Sequence, residues 1–378
     1  MTMLENLNFS DWPFHTTADV DFASVWAGRK KTLTQLTQLL DGFRLRSNSG
    51  LHILWANFGM GKTHTLYHLR YMCQNSDETL KIIPIYAVMP MRSTGFLELY
   101  REIVQGMPID FLKKQLNILG STWNGPVAFH PMFDKAPGVV KALLSINQQD
   151  ISTSIIAKQW LEAQRGLSQH DLRQIEITSA IRTPEDALKA LTALTKLLCY
   201  HPEPRKSNRV LVMIDEYQRI GELSARLRNE NNASLHTYFN SQPGIQLMLS
   251  FSFGNQDNLR YLVSPELLSR SDPDSILIDV MSHQEAIEFY RDLLSQFRIE
   301  KDDRWSFPLT SESVDMTIRA ISSRKTLTPR RLMGYFDHVI LRCYQKYGAP
   351  PPEGYSPEAV SIFLNDPSLG ELDADTPN

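Results

Sequence analysis

The 378-residue sequence is poor in cysteine, with only Cys73, Cys199 and Cys343. They are scattered without ligand spacing, so no zinc site is expected, and an odd, sparse set fits a reducing cytoplasm. Long apolar runs are missing too. No stretch approaches the ~18 residues of a membrane span, so no membrane partner is expected. Met1-Thr-Met-Leu-Glu-Asn6 lacks a basic region and an apolar core, and it reads as no secretory signal. Neither charge sign dominates: 39 Lys and Arg against 42 Asp and Glu leave −3. That is too little to mark a nucleic-acid tail or a membrane surface. Apolar content is ordinary at 42%, so a sizeable core is expected, and the length allows one large domain and at least one more.

What is present centres on Leu51-His-Ile-Leu-Trp-Ala-Asn-Phe-Gly-Met-Gly-Lys-Thr-His-Thr65. An apolar strand (Ile53, Leu54, Trp55) runs into a glycine-bearing loop and then a helix with Leu66, Leu69, Met72 and Cys73 on one face. The loop, Ala56-Asn57-Phe58-Gly59-Met60-Gly61-Lys62-Thr63-His64, fits the phosphate-loop pattern, with Ala56 where Gly is commoner. Gly59 and Gly61 let the backbone curl through φ values that a Cβ disfavours. Successive N–H groups then point inward and can cradle a β-phosphate, aided by the positive end of the following helix. Lys62 is expected at the β- and γ-phosphates, and the Thr63 hydroxyl on Mg²⁺. The relaxed pattern arises by chance in roughly a few per cent of chains this long, but the strand before it and the helix after it narrow that reading.

The second signature is Arg209-Val-Leu-Val-Met-Ile-Asp-Glu216. A continuous apolar run fits a strand buried on both faces. It ends in two carboxylates, whose burial costs several kcal/mol unless they are paired or bind metal. Asp215 is assigned to the Mg²⁺ shell and Glu216 to orienting and polarising an attacking water. The adjacent Glu marks ATPases in which an extra strand separates the loop strand from the Asp strand. No Asn/Thr-Lys-x-Asp guanine signature is present, so ATP is favoured over GTP.

The remaining elements follow in order. Residues 1–28 form a turn-rich N-terminal segment. Val25-Trp-Ala-Gly-Arg29 leads into a helix from Lys30 to Phe43; it is either a clamp for an adenine base, with Arg29 in it, or an ordinary helix entry. Leu80 to Val88 is a strand whose Pro84 suits a sheet edge, and a helix from about Thr94 to Val104 follows. Residues 107–182 exceed what a crossover needs and read as a largely helical insertion. Thr183-Pro-Glu-Asp186 starts a helix running to about Tyr200. Ile245 to Ser252 is a fourth strand; Ser252 first, then Asn255, is the candidate γ-phosphate sensor, or either is a polar turn. Arg270 precedes a fifth strand, Ser275 to Val280; it is a trans-acting arginine finger or a solvated arginine. Residues 281–348 are helical. Ser282-x-x-Glu285 is a capping box, with Ile287, Tyr290, Leu294 and Phe297 inward. A second helix covers Ser313 to Ser322, and Thr328-Pro-Arg-Arg331 opens a third that Gly348 ends. Two arginines in that first turn oppose the helix dipole by ~0.3–1 kcal/mol each. A γ-phosphate would offset this, making Arg330 foremost, and Arg331, candidate sensor arginines; the alternative is an exposed pair. Residues 349–378 form a linker, one short helix from Ser356 and an acidic tail from Glu371.

Val25 to Arg29, Ala56 to Thr63, Met213-Ile-Asp-Glu-Tyr-Gln218 and Thr328 to Arg331, together with five strands and a helical lid, resemble the AAA+ P-loop ATPases over roughly residues 20–346. The flavour is that of the initiator, transposition-regulator and signalling branch. Gln159-Trp-Leu-Glu162, within its long helical segment, is similar to ATP-binding proteins of BREX-type phage-defence systems. The resemblance implies an α/β domain over 29–280 with a parallel sheet ordered 5-1-4-3-2 and a helical lid over 281–348. It also implies ATP and Mg²⁺ as cofactors, ATP sites at interfaces of a homo-oligomer, protein partners and frequent DNA association. No winged-helix domain follows the lid. Arg319, Arg324, Lys325, Arg330, Arg331, Arg342 and Lys346 gather in the lid, either as a basic surface for DNA or as a solvated face.

Overall fold

The computed structural model describes residues 2–45, 48–76, 80–91, 95–146, 150–241, 243–252, 258–271, 275–301, 303–366 and 369. Five strands make one sheet: β1 Gly50–Ala56, β2 Ile82–Val88, β3 Arg209–Asp215, β4 Ile245–Phe251 and β5 Ile276–Ile278, in the order β2-β3-β4-β1-β5. This is the expected 5-1-4-3-2 arrangement read from the other edge. The pairings β1–β4, β2–β3 and β3–β4 are parallel, with Trp55 opposite Phe251 and Val88 opposite Asp215. Every residue of β3 and β4 is buried, Gln246 and Ser250 included, as expected of central strands covered on both faces. β2 lies at an edge, where Pro84 costs the sheet least.

The chain divides into two compact units. One comprises Leu36–Trp55 and Met72–Ile276, and the other Met1–Gln35, Ala56–Tyr71 and Leu277–Asn378. The core of the first joins the sheet residues to the helices Phe96–Gln105, Ile109–Thr122, Gly138–Ser145, Ile151–Leu161 and Pro184–Cys199. Residues 107–182 contribute the helices Ile109–Thr122, Gly138–Ser145, Ile151–Leu161 and Gln169–Gln174. Apolar residues line the inner side of this segment, including Phe133, Trp160 and Leu172. Thr183 caps the helix Pro184–Cys199 in a capping box with Asp186.

The core of the second unit is built on His283–Gln296, Ser311–Arg324 and Pro329–Tyr347. Its division differs from the expected one. Leu7, Phe9 and Phe14 are buried in this core, as are Tyr355, Val360 and Leu364. Both flanking segments thus belong to the unit expected to span 281–348 alone. Phe14 stacks on Tyr290 and Phe336, with centroids 6.3 and 6.0 Å away, and Trp12 Nε1 donates to Asp337 at 2.8 Å. The buried side of His283–Gln296 is Ala286, Phe289, Tyr290, Leu293 and Leu294; Ile287 is only half-buried. Among the described residues no helix is long and apolar enough to cross a membrane.

Candidate functional site

The phosphate-loop residues fold as their glycines require. Ala56 ends β1, and Gly59 (φ 75°) and Gly61 (φ 85°) take left-handed backbone before the helix Lys62–Gln74 begins. A Cβ on Gly59 would lie 3.4 Å from the Arg330 Cβ, and one on Gly61 3.8 Å from Pro329. Met60 and Lys62 are buried, while Asn57 and Phe58 are exposed. Thr63 sits in the first turn of the helix, half-buried. His64 does not turn back to the loop: its Nε2 bonds the Val25 carbonyl at 2.8 Å. One turn on, His68 Nδ1 bonds the Ala23 carbonyl at 2.8 Å. The Trp26 ring lies 6.3 and 4.7 Å from the two imidazoles. Burial pushes both histidines below their ordinary value.

Two predicted arginines come to this loop. Arg29, with φ 49°, donates to the Asp279 carbonyl at 2.9 Å and has Met60 Sδ at 4.0 Å. Burial pushes its guanidinium down to about 10 against the pull of Glu285 and Asp279, so it stays charged near neutral pH. Arg330 lies at the N-terminus of Pro329–Tyr347, where its backbone N–H donates to the Gly59 carbonyl at 3.3 Å. The two arginines, candidate sensors or alternatively an exposed pair, differ in burial. Arg330 is exposed, whereas Arg331 is 6% exposed and bonds the Thr326 carbonyl and hydroxyl at 3.0 and 2.7 Å. Arg331 therefore ties the lid helix to the segment before it.

The carboxylates occupy the end of β3. Asp215 is 1% exposed. Its Oδ1 accepts from the Ser250 hydroxyl and from the Glu216 N–H at 2.8 Å, and its Oδ2 accepts from the Tyr86 hydroxyl at 3.2 Å. Three donors answer the cost of burying this charge. Glu216 follows in left-handed backbone (φ 55°, ψ 35°), which turns the chain out of the sheet into the 3₁₀ segment Tyr217–Glu222. Glu216 Oε1 accepts from Ser252 Oγ at 3.1 Å, and Oε2 accepts from the Gln218 amide. Ser252, one of the two predicted sensors, thus joins Glu216; Asn255 lies outside the described residues. Arg270 is exposed in the turn after Pro265–Leu268, where its carbonyl accepts from the Leu51 N–H at 3.3 Å. Ser250, Tyr86 and Gln218 were not among the expected site residues. Ser250 and Tyr86 lie inside strands β4 and β2, and only the observed register shows that both reach Asp215.

These residues suit the groups the motifs imply. Within its own unit Asp215 offers hard carboxylate oxygen, the ligand type Mg²⁺ takes when substrate phosphates complete its shell. The loop leaves space that a Cβ would fill at Gly59 and Gly61, as close phosphate approach demands.

No family model matches the sequence, and no curated protein matches it. Solved structures do. The ORC2 protein of Aeropyrum pernix in its ADP form matches with a TM-score of 0.52 at 12% identity, over 98% of this chain and 75% of that one. The same protein as ADPNP–ADP complexes matches with a TM-score of 0.50 at 12% identity, over 93% and 69%. The Aeropyrum pernix ORC1 protein in complex with DNA matches with a TM-score of 0.48 at 12% identity, over 90% of this chain, which spans only 66% of that one. That last likeness is too distant to carry weight. The fold is that of the AAA+ P-loop ATPases. The likeness to the Aeropyrum pernix ORC2 protein is one of fold alone.

Proposed function

We propose that the protein is a Mg²⁺-dependent ATPase that uses ATP binding and hydrolysis to drive assembly or remodelling of a multi-protein complex. The observation that carries this reading is the Asp215–Glu216 pair closing the buried strand β3, with Ser252 Oγ on the Glu216 carboxylate. Such a pair fits metal holding by Asp215 and water activation by Glu216. Lys62 takes the β- and γ-phosphates, Thr63 and Asp215 hold Mg²⁺, and Ser252 and Arg330 sense the γ-phosphate. Bound Mg²⁺ neutralises charge on the triphosphate. The chain's own residues bind, orient and present the base. Glu216→Gln removes the base while keeping shape, so turnover should fall by about 10²–10⁴-fold with ATP still bound. Equal turnover in the two proteins would remove Glu216 from the mechanism.

A second reading is a nucleotide-gated scaffold with negligible hydrolysis. The 107–182 segment favours it, because Phe129 and Ile151 are 75% and 76% exposed there. In that case Lys62→Ala abolishes capture of a protein partner and Glu216→Gln leaves it intact. Self-association follows from the proposed role of Arg270: sizing the protein with and without ATP tests it, and a monomer in both states leaves Arg270 without a target. A cytoplasmic, DNA-associated setting, in phage defence or transposition, completes the proposal. DNA contact is the least supported part, since Arg319 pairs with Asp315 at 2.6 Å and Arg324 donates to the Leu364 carbonyl at 2.9 Å. Affinity for DNA should fall steeply with salt; a flat response counts against contact.

A further inference from the structure

Gln218 lies two residues beyond Glu216 and joins the ends of two strands. Its Nε2 donates to Glu216 Oε2, and its Oε1 accepts from the Ser252 N–H at 3.1 Å. Chemistry forces this orientation of the amide. An ionised carboxylate only accepts and a backbone N–H only donates, so the flipped amide would face oxygen to oxygen and N–H to N–H. Ser252 Oγ completes the ring by donating to Glu216 Oε1 at 3.1 Å. Three hydrogen bonds therefore close a circuit through the exit of β3 and the end of β4. At its centre stands a glutamate in left-handed backbone. Such a conformation costs about 1–3 kcal/mol and persists only where the surroundings over-determine it.

We propose that Gln218 is a positioning residue for ATP hydrolysis. One carboxamide fixes the rotation of the Glu216 carboxylate and locks it to the Ser252 backbone. The base and the strand end that senses the γ-phosphate then hold a single mutual geometry. The proposal rests on the reading of Glu216 as the residue that polarises water, and deepens it. Gln218 itself touches no reacting atom. Its effect comes through orientation, where misplacement by an ångström costs about 10²-fold in rate. An apolar residue of the same length would fill the space and give up both bonds. A glutamate there would keep the acceptor for Ser252 N–H, lose the donor and face Glu216 with a like charge.

The test uses the full-length protein and the variants Gln218→Met, Gln218→Glu, Glu216→Gln and the double variant Gln218→Met/Glu216→Gln. Turnover, affinity for a fluorescent ATP analogue with Mg²⁺, and nucleotide-free amide exchange over the β4 end are measured. Both Gln218 variants should lose about tenfold or more in kcat, while nucleotide affinity stays within about twofold, the signature of an interaction used only in the transition state. The double variant should be no slower than Glu216→Gln alone, because residues acting as a unit are non-additive. Exchange at Ser252 should rise about tenfold in Gln218→Met and stay near wild type in Gln218→Glu, which keeps the acceptor. An undiminished kcat, an equal loss in the Glu216→Gln background, a loss confined to affinity, or unchanged exchange in Gln218→Met would each overturn the role. Wild-type protein that binds ATP without turning it over removes the hydrolysis reading and this role together. Wild-type turnover that Gln218→Met leaves intact removes this role alone.

Discussion

At the scale of single residues, the buried carboxylate and the loop glycines make the sharpest demands. Asp215 is held by hydroxyls from two strands, Ser250 on β4 and Tyr86 on β2. Ser250→Ala leaves a buried carboxylate one donor short, which should destabilise the protein by about 1–3 kcal/mol in urea unfolding. A variant as stable as wild type would mean that water replaces the hydroxyl. Gly59 makes the complementary demand. Alanine there must adopt φ near 75° with its Cβ 3.4 Å from that of Arg330, so Gly59→Ala should cost about 1–2 kcal/mol and weaken ATP binding in a titration. The glycine spacing made this loop legible from sequence. The division of labour between Arg330 and Arg331 was not, because both lie in one helical turn and only packing decides which faces inward.

At the scale of elements, the helix after the loop is fastened to the 22–28 segment by His64 and His68. Both imidazoles bond carbonyls and are favoured neutral by burial, His68 also by its neighbour His64. Because folding lowers their affinity for protons, their contribution to stability is complete above the ordinary value of 6.5 and shrinks as pH falls below it toward the lower folded-state value. The melting temperature should therefore drop between pH 7.5 and about 5.5, and by less in a His64→Gln/His68→Gln variant. Equal drops in both proteins would assign the pH dependence elsewhere. The strands were readable because β3 runs apolar from Val210 to Ile214 and β4 is mostly apolar, and Pro84 announced the edge. The helices of residues 107–182 were readable as a class but not in their packing. Their contacts, such as the Tyr100 hydroxyl donating to the Leu161 carbonyl at 2.6 Å, join positions far apart in the chain.

At the scale of the whole molecule, the expected boundaries at 28 and 348 did not survive. Leu7, Phe9, Trp12 and Phe14 carry no helical or strand period, so nothing local says that they belong with helices near the other end of the chain. Tyr355 gives the same lesson: it is 1% exposed, its N–H donates to the Pro308 carbonyl at 2.8 Å and its carbonyl accepts from Thr310 at 3.1 Å. Truncation after Gly348 removes Tyr355, Val360 and Leu364 from a core. It should lower the melting temperature by several degrees, as the loss of a few kcal/mol does in a chain of this size. Unchanged melting would show that the C-terminal residues merely cover the surface.

The Ser10 N–H donates to the Phe297 carbonyl at 2.8 Å, and the side chains of Phe9 and Phe14 share their burial with Phe289 and Phe336. On the ribosome, Phe9 and Phe14 must wait for nearly three hundred more residues before these partners exist. At about 5–20 residues per second, they stay uncovered for roughly fifteen to sixty seconds. During synthesis this aromatic segment is a natural place for a chaperone to bind.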